Sequence, residues 1–212
     1  MPKRRGGSLT TKTKRYEKVN EDVTEDETGD EHNSEMIKTP VVIVFGSGGH
    51  TAEMLQLLPS LSSTRFGPIS YIISRTDSTS EKRAKSSGVV PDKAHFETIP
   101  RSREVGQSYF TAFFMTLWAI IVAFELVSRL KPKLILVNGP GTCLPICVAA
   151  VILRWIGVSS AKIVFVESAC RVQSLSATGK ILYHARLADC ILVQWSVLTK
   201  KYPRTEYVGL LS

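Results

Sequence analysis

From Pro40 onward, short runs of β-branched and apolar residues alternate with longer helical stretches, and that alternation predicts a parallel sheet covered by helices. Residues 41 to 45 are continuously apolar, the pattern of a strand buried on both faces. The run closes at Gly46-Ser47-Gly48-Gly49-His50, and a short helix carrying Glu53, Leu55, Leu57 and Leu58 continues to Pro59. Residues 69 to 74 read as a second strand, 75 to 88 as a polar stretch that is helical at most, and 96 to 99 as a brief third strand. A long helix is predicted over 109 to 130, with no charge between Gln107 and Phe124. A fourth strand, 133 to 138, is closed by Gly139-Pro140-Gly141, and a very apolar helix follows over 143 to 155. A fifth strand, 162 to 166, delivers Glu167; a helix around 180 to 187 leads to a sixth strand over 190 to 194. Residues 207 to 211 have the pattern of a last short strand. Six parallel strands with helical crossovers make a single α/β, Rossmann-like domain.

Charge divides the chain in two. The formal net charge is +8, but residues 1 to 40 carry 8 Lys+Arg against 9 Asp+Glu, leaving 19 against 10 for the rest, so the folded part is the basic part. The leader is basic first, then acidic from Glu21 to Glu35, and has almost no apolar residues. Such a segment buries too little surface to offset its ordering entropy, so residues 1 to 38 are expected to form a disordered tail and 39 to 212 the domain. A basic start without an apolar run after it does not read as a signal peptide. Cys143, Cys147, Cys170 and Cys190 form no CxxC pair and have no histidine at ligand spacing, which argues against zinc and for a reduced, cytosol-facing chain.

Loops at the carboxyl ends of parallel strands share one crevice, where ligands bind. Gly46 to His50 sets glycines at a strand-to-helix turn, where bare N–H groups can approach an anion; a tight turn needing positive φ explains the same glycines. His50 is there either as an acid, base or donor to a substrate oxygen, or as a capping and packing residue. Arg101 and Arg103 are spaced to grip phosphate oxygens, or are simply solvated. Glu167 ends a buried strand and is either catalytic or paired with an arginine. A nicotinamide cofactor would want an acid at the end of the second strand, where Ser74, Arg75 and Asp77 match poorly. No cofactor or metal is therefore expected, although a free-standing Rossmann enzyme with a nucleotide-type cofactor remains the rival.

Gly46-Ser47-Gly48-Gly49-His50-Thr51, Arg101-Ser102-Arg103-Glu104, Asn138-Gly139-Pro140-Gly141-Thr142 and Val166-Glu167-Ser168, with Val193-Gln194-Trp195 and Lys200-Lys201-Tyr202-Pro203, occur in an order that resembles one family. It is that of asparagine-linked glycosylation protein fourteen, the membrane-side subunit of the transferase adding the second N-acetylglucosamine to dolichol-diphosphate-linked N-acetylglucosamine. That family is similar to the amino-terminal half of MurG, a two-domain glycosyltransferase of GT-B type. The length agrees: about 172 residues from Pro40 make one Rossmann domain where that architecture needs two.

The resemblance implies a division of labour in which this chain holds the dolichol-diphosphate acceptor while a small catalytic subunit, protein thirteen of the series, holds UDP-N-acetylglucosamine. It implies substrate contacts from Gly46, Ser47, Gly48, Gly49, Thr51, Arg101, Arg103, Asn138, Gly139, Pro140 and Gly141, and a catalytic part for His50 and Glu167. It implies docking of the partner through Tyr207, Val208, Gly209, Leu210 and Leu211, and a place on the cytosolic face of the endoplasmic reticulum membrane. Ser196 stands where the family has proline after Gln-Trp. The family's amino-terminal membrane helix is missing, so the helix over 109 to 130 is either a buried layer helix or one laid against lipid, with membrane phosphates rather than nucleic acid as the partner of the basic domain.

Overall fold

The computed structural model describes residues 38–61, 63–101, 109–139 and 142–211, and the tail expected over residues 1 to 38 lies outside them apart from Lys38. Seven parallel strands form one sheet. They are β1 (Thr39–Val44), β2 (Phe66–Ser74), β3 (Phe96–Ile99), β4 (Leu134–Asn138), β5 (Lys162–Val166), β6 (Cys190–Val193) and β7 (Glu206–Tyr207). Their order is β3-β2-β1-β4-β5-β6-β7, so the chain winds outward from β1 in both directions and the switch point lies between β1 and β4.

Alternation along β1 assigns the two layers. Val41, Ile43 and Phe45 pack with Met54 and Leu55 of α1 (Gly49–Leu57) and Ala84 of α2 (Ser80–Ser86). Val42 and Val44 face the other way, into a cluster with α3 (Tyr109–Leu130), α4 (Cys143–Trp155) and α5 (Ala177–His184). Successive side chains of a strand point to opposite faces, so an uninterrupted apolar run is what a strand covered on both sides requires.

The bounds of α3 and α4 agree with the sequence pattern. Elsewhere the structure differs. Strand β2 begins at Phe66, earlier than the apolar run suggests, because Thr39 already pairs with Phe66 at the foot of β1. Helix α5 starts at Ala177, since Ser176 caps it by accepting from Gly179 N–H at 3.0 Å. The six residues of α6 (Ser196–Lys201) bury only Leu198, and β7 is two residues long rather than five.

Helix α3 has one buried side and one exposed apolar side. Ala119, Ala123, Leu126 and Val127 are buried in the layer, while Phe114, Leu117, Trp118 and Ile121 on the opposite side are each about half exposed. Neighbouring α4 turns Leu144 and Val148 partly outward, followed by exposed Ile152, Trp155 and Ile156. Among the described residues, no helix is long and apolar enough to cross a membrane.

Candidate functional site

The candidate site lies at the carboxyl ends of β1 and β4, at the switch point of the sheet. Gly46 follows β1 and Gly139 follows β4, and their backbones touch: a Cβ on Gly46 would lie 2.6 Å from the Asn138 carbonyl and 2.7 Å from the His50 Cβ. Gly139, at φ +105°, would place a Cβ 3.0 Å from the Gly46 Cα. These two glycines answer to close packing of the loops. Gly48 and Gly49 differ, since a Cβ there would meet nothing within 4 Å. Gly48 turns the chain at φ +67° into α1, whose first turn has neither a side-chain cap nor an acidic residue. Its amide donors are thus open to an anion.

Two guanidiniums hold this turn. Arg101 donates to Ser47 Oγ at 2.7 Å, and Arg83 of α2 donates to the Gly48 carbonyl at 3.0 Å. Arg83 was not singled out by sequence, because nothing in a seven-residue polar helix says which face meets α1. Arg103, Pro140 and Gly141 lie outside the described residues. Thr51 is buried; its hydroxyl donates to the Gly46 carbonyl and meets Ser80 Oγ at 2.6 Å.

Glu53 joins the loops together. One carboxylate oxygen accepts from Asn138 Nδ2 at 3.0 Å and lies 3.6 Å from His50 Nδ1; the other accepts from Ser168 Oγ at 2.8 Å and the Ala169 N–H at 3.0 Å. Burial alone would raise its pKa. The adjacent His50 ring and the donors of Asn138, Ser168 and Ala169 outweigh that and hold it down at about 2. The sequence signal was there, a glutamate one helical turn after His50, but its partners come from distant strands.

Two buried polar atoms in this cluster have no hydrogen bond, His50 Nδ1 and Asn138 Oδ1. The 3.6 Å gap to Glu53 is too long for a hydrogen bond yet directs Nδ1 toward a fixed negative charge. The ring itself is 29% exposed.

Glu167 is placed differently from the expectation. It is 1% exposed, and instead of meeting an arginine its carboxylate accepts from the Ser168 N–H at 3.0 Å and the Ser176 N–H at 2.7 Å. Both oxygens accept from the backbone of the β5–α5 loop, and Gly179 makes room for them, since a Cβ there would lie 2.5 Å from Oε2. The carboxylate facing His50 is Glu53.

Asp77 bears on the nucleotide-cofactor rival. Its Oδ1 accepts from the Thr79 and Ser80 amides and the Thr79 hydroxyl, and its Oδ2 from Ser80 Oγ at 2.5 Å. Buried and turned into its own loop, this acid is not presented to a ribose hydroxyl as a dinucleotide site requires.

At the sheet edge, Tyr207, Val208 and Leu210 are exposed, whereas Leu211 packs partly into the core and donates its N–H to Gln194 Oε1 at 3.0 Å. Gln194 also donates to the Glu167 carbonyl at 3.1 Å, and Trp195 to the Ala169 carbonyl at 2.7 Å.

Residues 41–211 match the model of the family described as "Oligosaccharide biosynthesis protein Alg14 like". The chain belongs to that family. Relatives named UDP-N-acetylglucosamine transferase subunit ALG14 are 47% identical in Rattus norvegicus and 45% in Homo sapiens, each over 80% of this chain and 81% of the relative. The relative from Schizosaccharomyces pombe is 38% identical over 81% of this chain and 83% of its own length. Among solved structures, MurG of Acinetobacter baumannii superposes with a TM-score of 0.56 at 17% identity, covering 81% of this chain and 45% of that one. A UDP-GlcNAc 2-epimerase from Neisseria meningitidis reaches 0.58 at 14% identity, over 81% of this chain and 47% of the epimerase. At such identities the likeness is one of fold: this Alg14-like domain has the Rossmann-like architecture of one half of these two-part proteins.

Proposed function

We propose that this chain is the acceptor-holding subunit of a UDP-N-acetylglucosamine transferase acting on a lipid-linked diphosphate sugar in N-glycan precursor synthesis. The observation that carries the reading is the Glu53 cluster, which aims His50 at an open, cationic, glycine-lined turn. In an inverting transfer, His50 Nε2 takes the proton of the acceptor hydroxyl as that oxygen bonds to the sugar's anomeric carbon. The bond from that carbon to UDP breaks, and UDP leaves with the electron pair. Glu53 stabilises the imidazolium that forms, as an orienting carboxylate does for a catalytic histidine. The uncapped first turn of α1, with Arg101 and Arg83, suits the acceptor diphosphate.

The donor sugar belongs to a separate small subunit in this reading. Relatives named as subunits support that. The exposed segment Tyr207, Val208 and Leu210, continuous with the sheet edge at β7, suits that partner. The apolar outer sides of α3 and α4 suit the cytosolic leaflet of the endoplasmic reticulum, the expected site of the lipid-linked substrate. Co-expression with a small donor-binding subunit and a transfer assay on a diphosphate-lipid acceptor tests the proposal. Transfer should require both chains and fall at least a hundredfold in His50→Ala; undiminished transfer in that variant would overturn it.

A further inference from the structure

A cavity opens at the opposite end of the strands from His50. Its volume is about 780 Å³, and it lies beside the amino ends of β2 and β3, on the layer of α1 and α2. Leu58, Leu61, Phe66, Ile69, Tyr71 and Val89 supply apolar wall, and the mouth carries Lys93 and His95. Tyr71 and Phe96 stack at 5.2 Å beneath it, and Phe45 stacks on Tyr71 at 5.9 Å, so the floor is a rigid aromatic layer.

The volume falls within the range of roughly 300 to 1,000 Å³ usual for small-molecule sites. The mouth adds sign. Among the described residues Lys93 has no carboxylate partner, and Glu97, 3.3 Å from His95, is already engaged by Arg129 at 2.9 Å. A charge left at the edge of an apolar chamber attracts an anion whose remainder is apolar. Lipid held on the outer sides of α3 and α4 would lie across the sheet, so the two surfaces are independent.

We propose that this cavity binds an amphiphile: one apolar chain inserted between Leu61, Phe66 and Val89, with its anionic head at Lys93 and His95. Two sources share that chemistry, a fatty carboxylate and an isoprenoid phosphate. The experiment is calorimetric titration of the full chain, below micelle-forming concentrations, with oleate, farnesyl phosphate and the uncharged control farnesol. Saturable one-to-one binding is expected for oleate, farnesyl phosphate or both, and which of them binds identifies the source. Farnesol should bind at least tenfold more weakly than the better anion.

Val89 and Lys93 are exposed, so substitutions there leave the core alone. Val89→Trp, which fills the chamber, and Lys93→Glu, which reverses the mouth, should each weaken the anion at least tenfold. Trp118→Asp, on the far layer, should leave it unchanged. Absence of saturable binding, equal affinity for farnesol, or full affinity in Val89→Trp would overturn the proposal. So would loss in Trp118→Asp, or a chain that sediments as a dimer until Val89→Trp is introduced, which would make a second copy the occupant.

Discussion

Asn138 donates to Glu53 at 3.0 Å, joining the end of β4 to the first helix across 85 residues of chain. With Ser168 and Ala169 on the same carboxylate, the ends of β4 and β5 are locked to one side chain of α1, and the buried Asn138 Oδ1 is left as an acceptor without a donor.

Glu53→Gln keeps the shape and removes the charge facing His50. Its amide also turns donors toward groups that already donate. Turnover of the reconstituted enzyme is expected to fall by roughly a hundredfold or more, with a smaller change in KM for the acceptor. Stopped-time transfer assays over a range of acceptor concentrations separate the two.

The same carboxylate sets an acid limit on stability. Its pKa is about 2 in the fold against an ordinary 4.5, a depressed value, so its contribution is full above 4.5 and is lost as pH falls through about 2. Urea midpoints measured between those limits should decline in the wild type. They should decline less steeply in Glu53→Gln, which has no such proton to bind.

Glu167→Gln tests the other carboxylate. The side-chain amide cannot accept at both Ser168 and Ser176, so one buried N–H is left unpaired at a cost of about 1 to 3 kcal/mol. Thermal denaturation should show that loss. Turnover per folded molecule, at a temperature where the variant remains folded, should stay within a few-fold of wild type; a hundredfold drop would restore Glu167 to the chemistry.

Gly46→Ala places a methyl 2.6 Å from the Asn138 carbonyl, where only backbone can yield. Overpacking of this kind costs about 1 to 3 kcal/mol, and here it also pushes His50 from its place. Activity should fall further than stability explains. Gly49→Ala, with nothing within 4 Å, should be near neutral in denaturant melts, which makes it the matched control.

Trp118→Asp combined with Ile121→Asp puts charge on the outer side of α3 without touching buried Ala119 or Ala123. Flotation with anionic liposomes should drop severalfold, and raised salt should weaken what remains.

Much of the fold was legible because its signals are local. Strands β1, β4 and β5 are continuous apolar runs ended by Gly or Glu, and α3 and α4 are long apolar stretches bounded by Pro and Gly. What escaped depends on distant contacts. Helix α6 has one buried residue, too few to make a period, and β2 gains its first residues from pairing with Thr39. The site divided along the same line. The glycine turn and His50 announce themselves, whereas Glu53 and Arg83 look like ordinary helix residues until β4, β5 and α1 come together. Glu167 shows the converse: a carboxylate at a strand end stands out in the sequence, and only the fold reveals the amides it accepts from.

The two ends of the Gln194 amide have a mechanical consequence. One end receives the Leu211 N–H and the other donates to the carbonyl of Glu167, the residue just before the Ser168 that grips Glu53. The last residues of the chain are therefore latched to the crevice through a single side chain. Peeling them away would strand a buried amide at 1% exposure, so whatever engages the carboxyl terminus tugs on the same bolt that keeps the reactive corner in register.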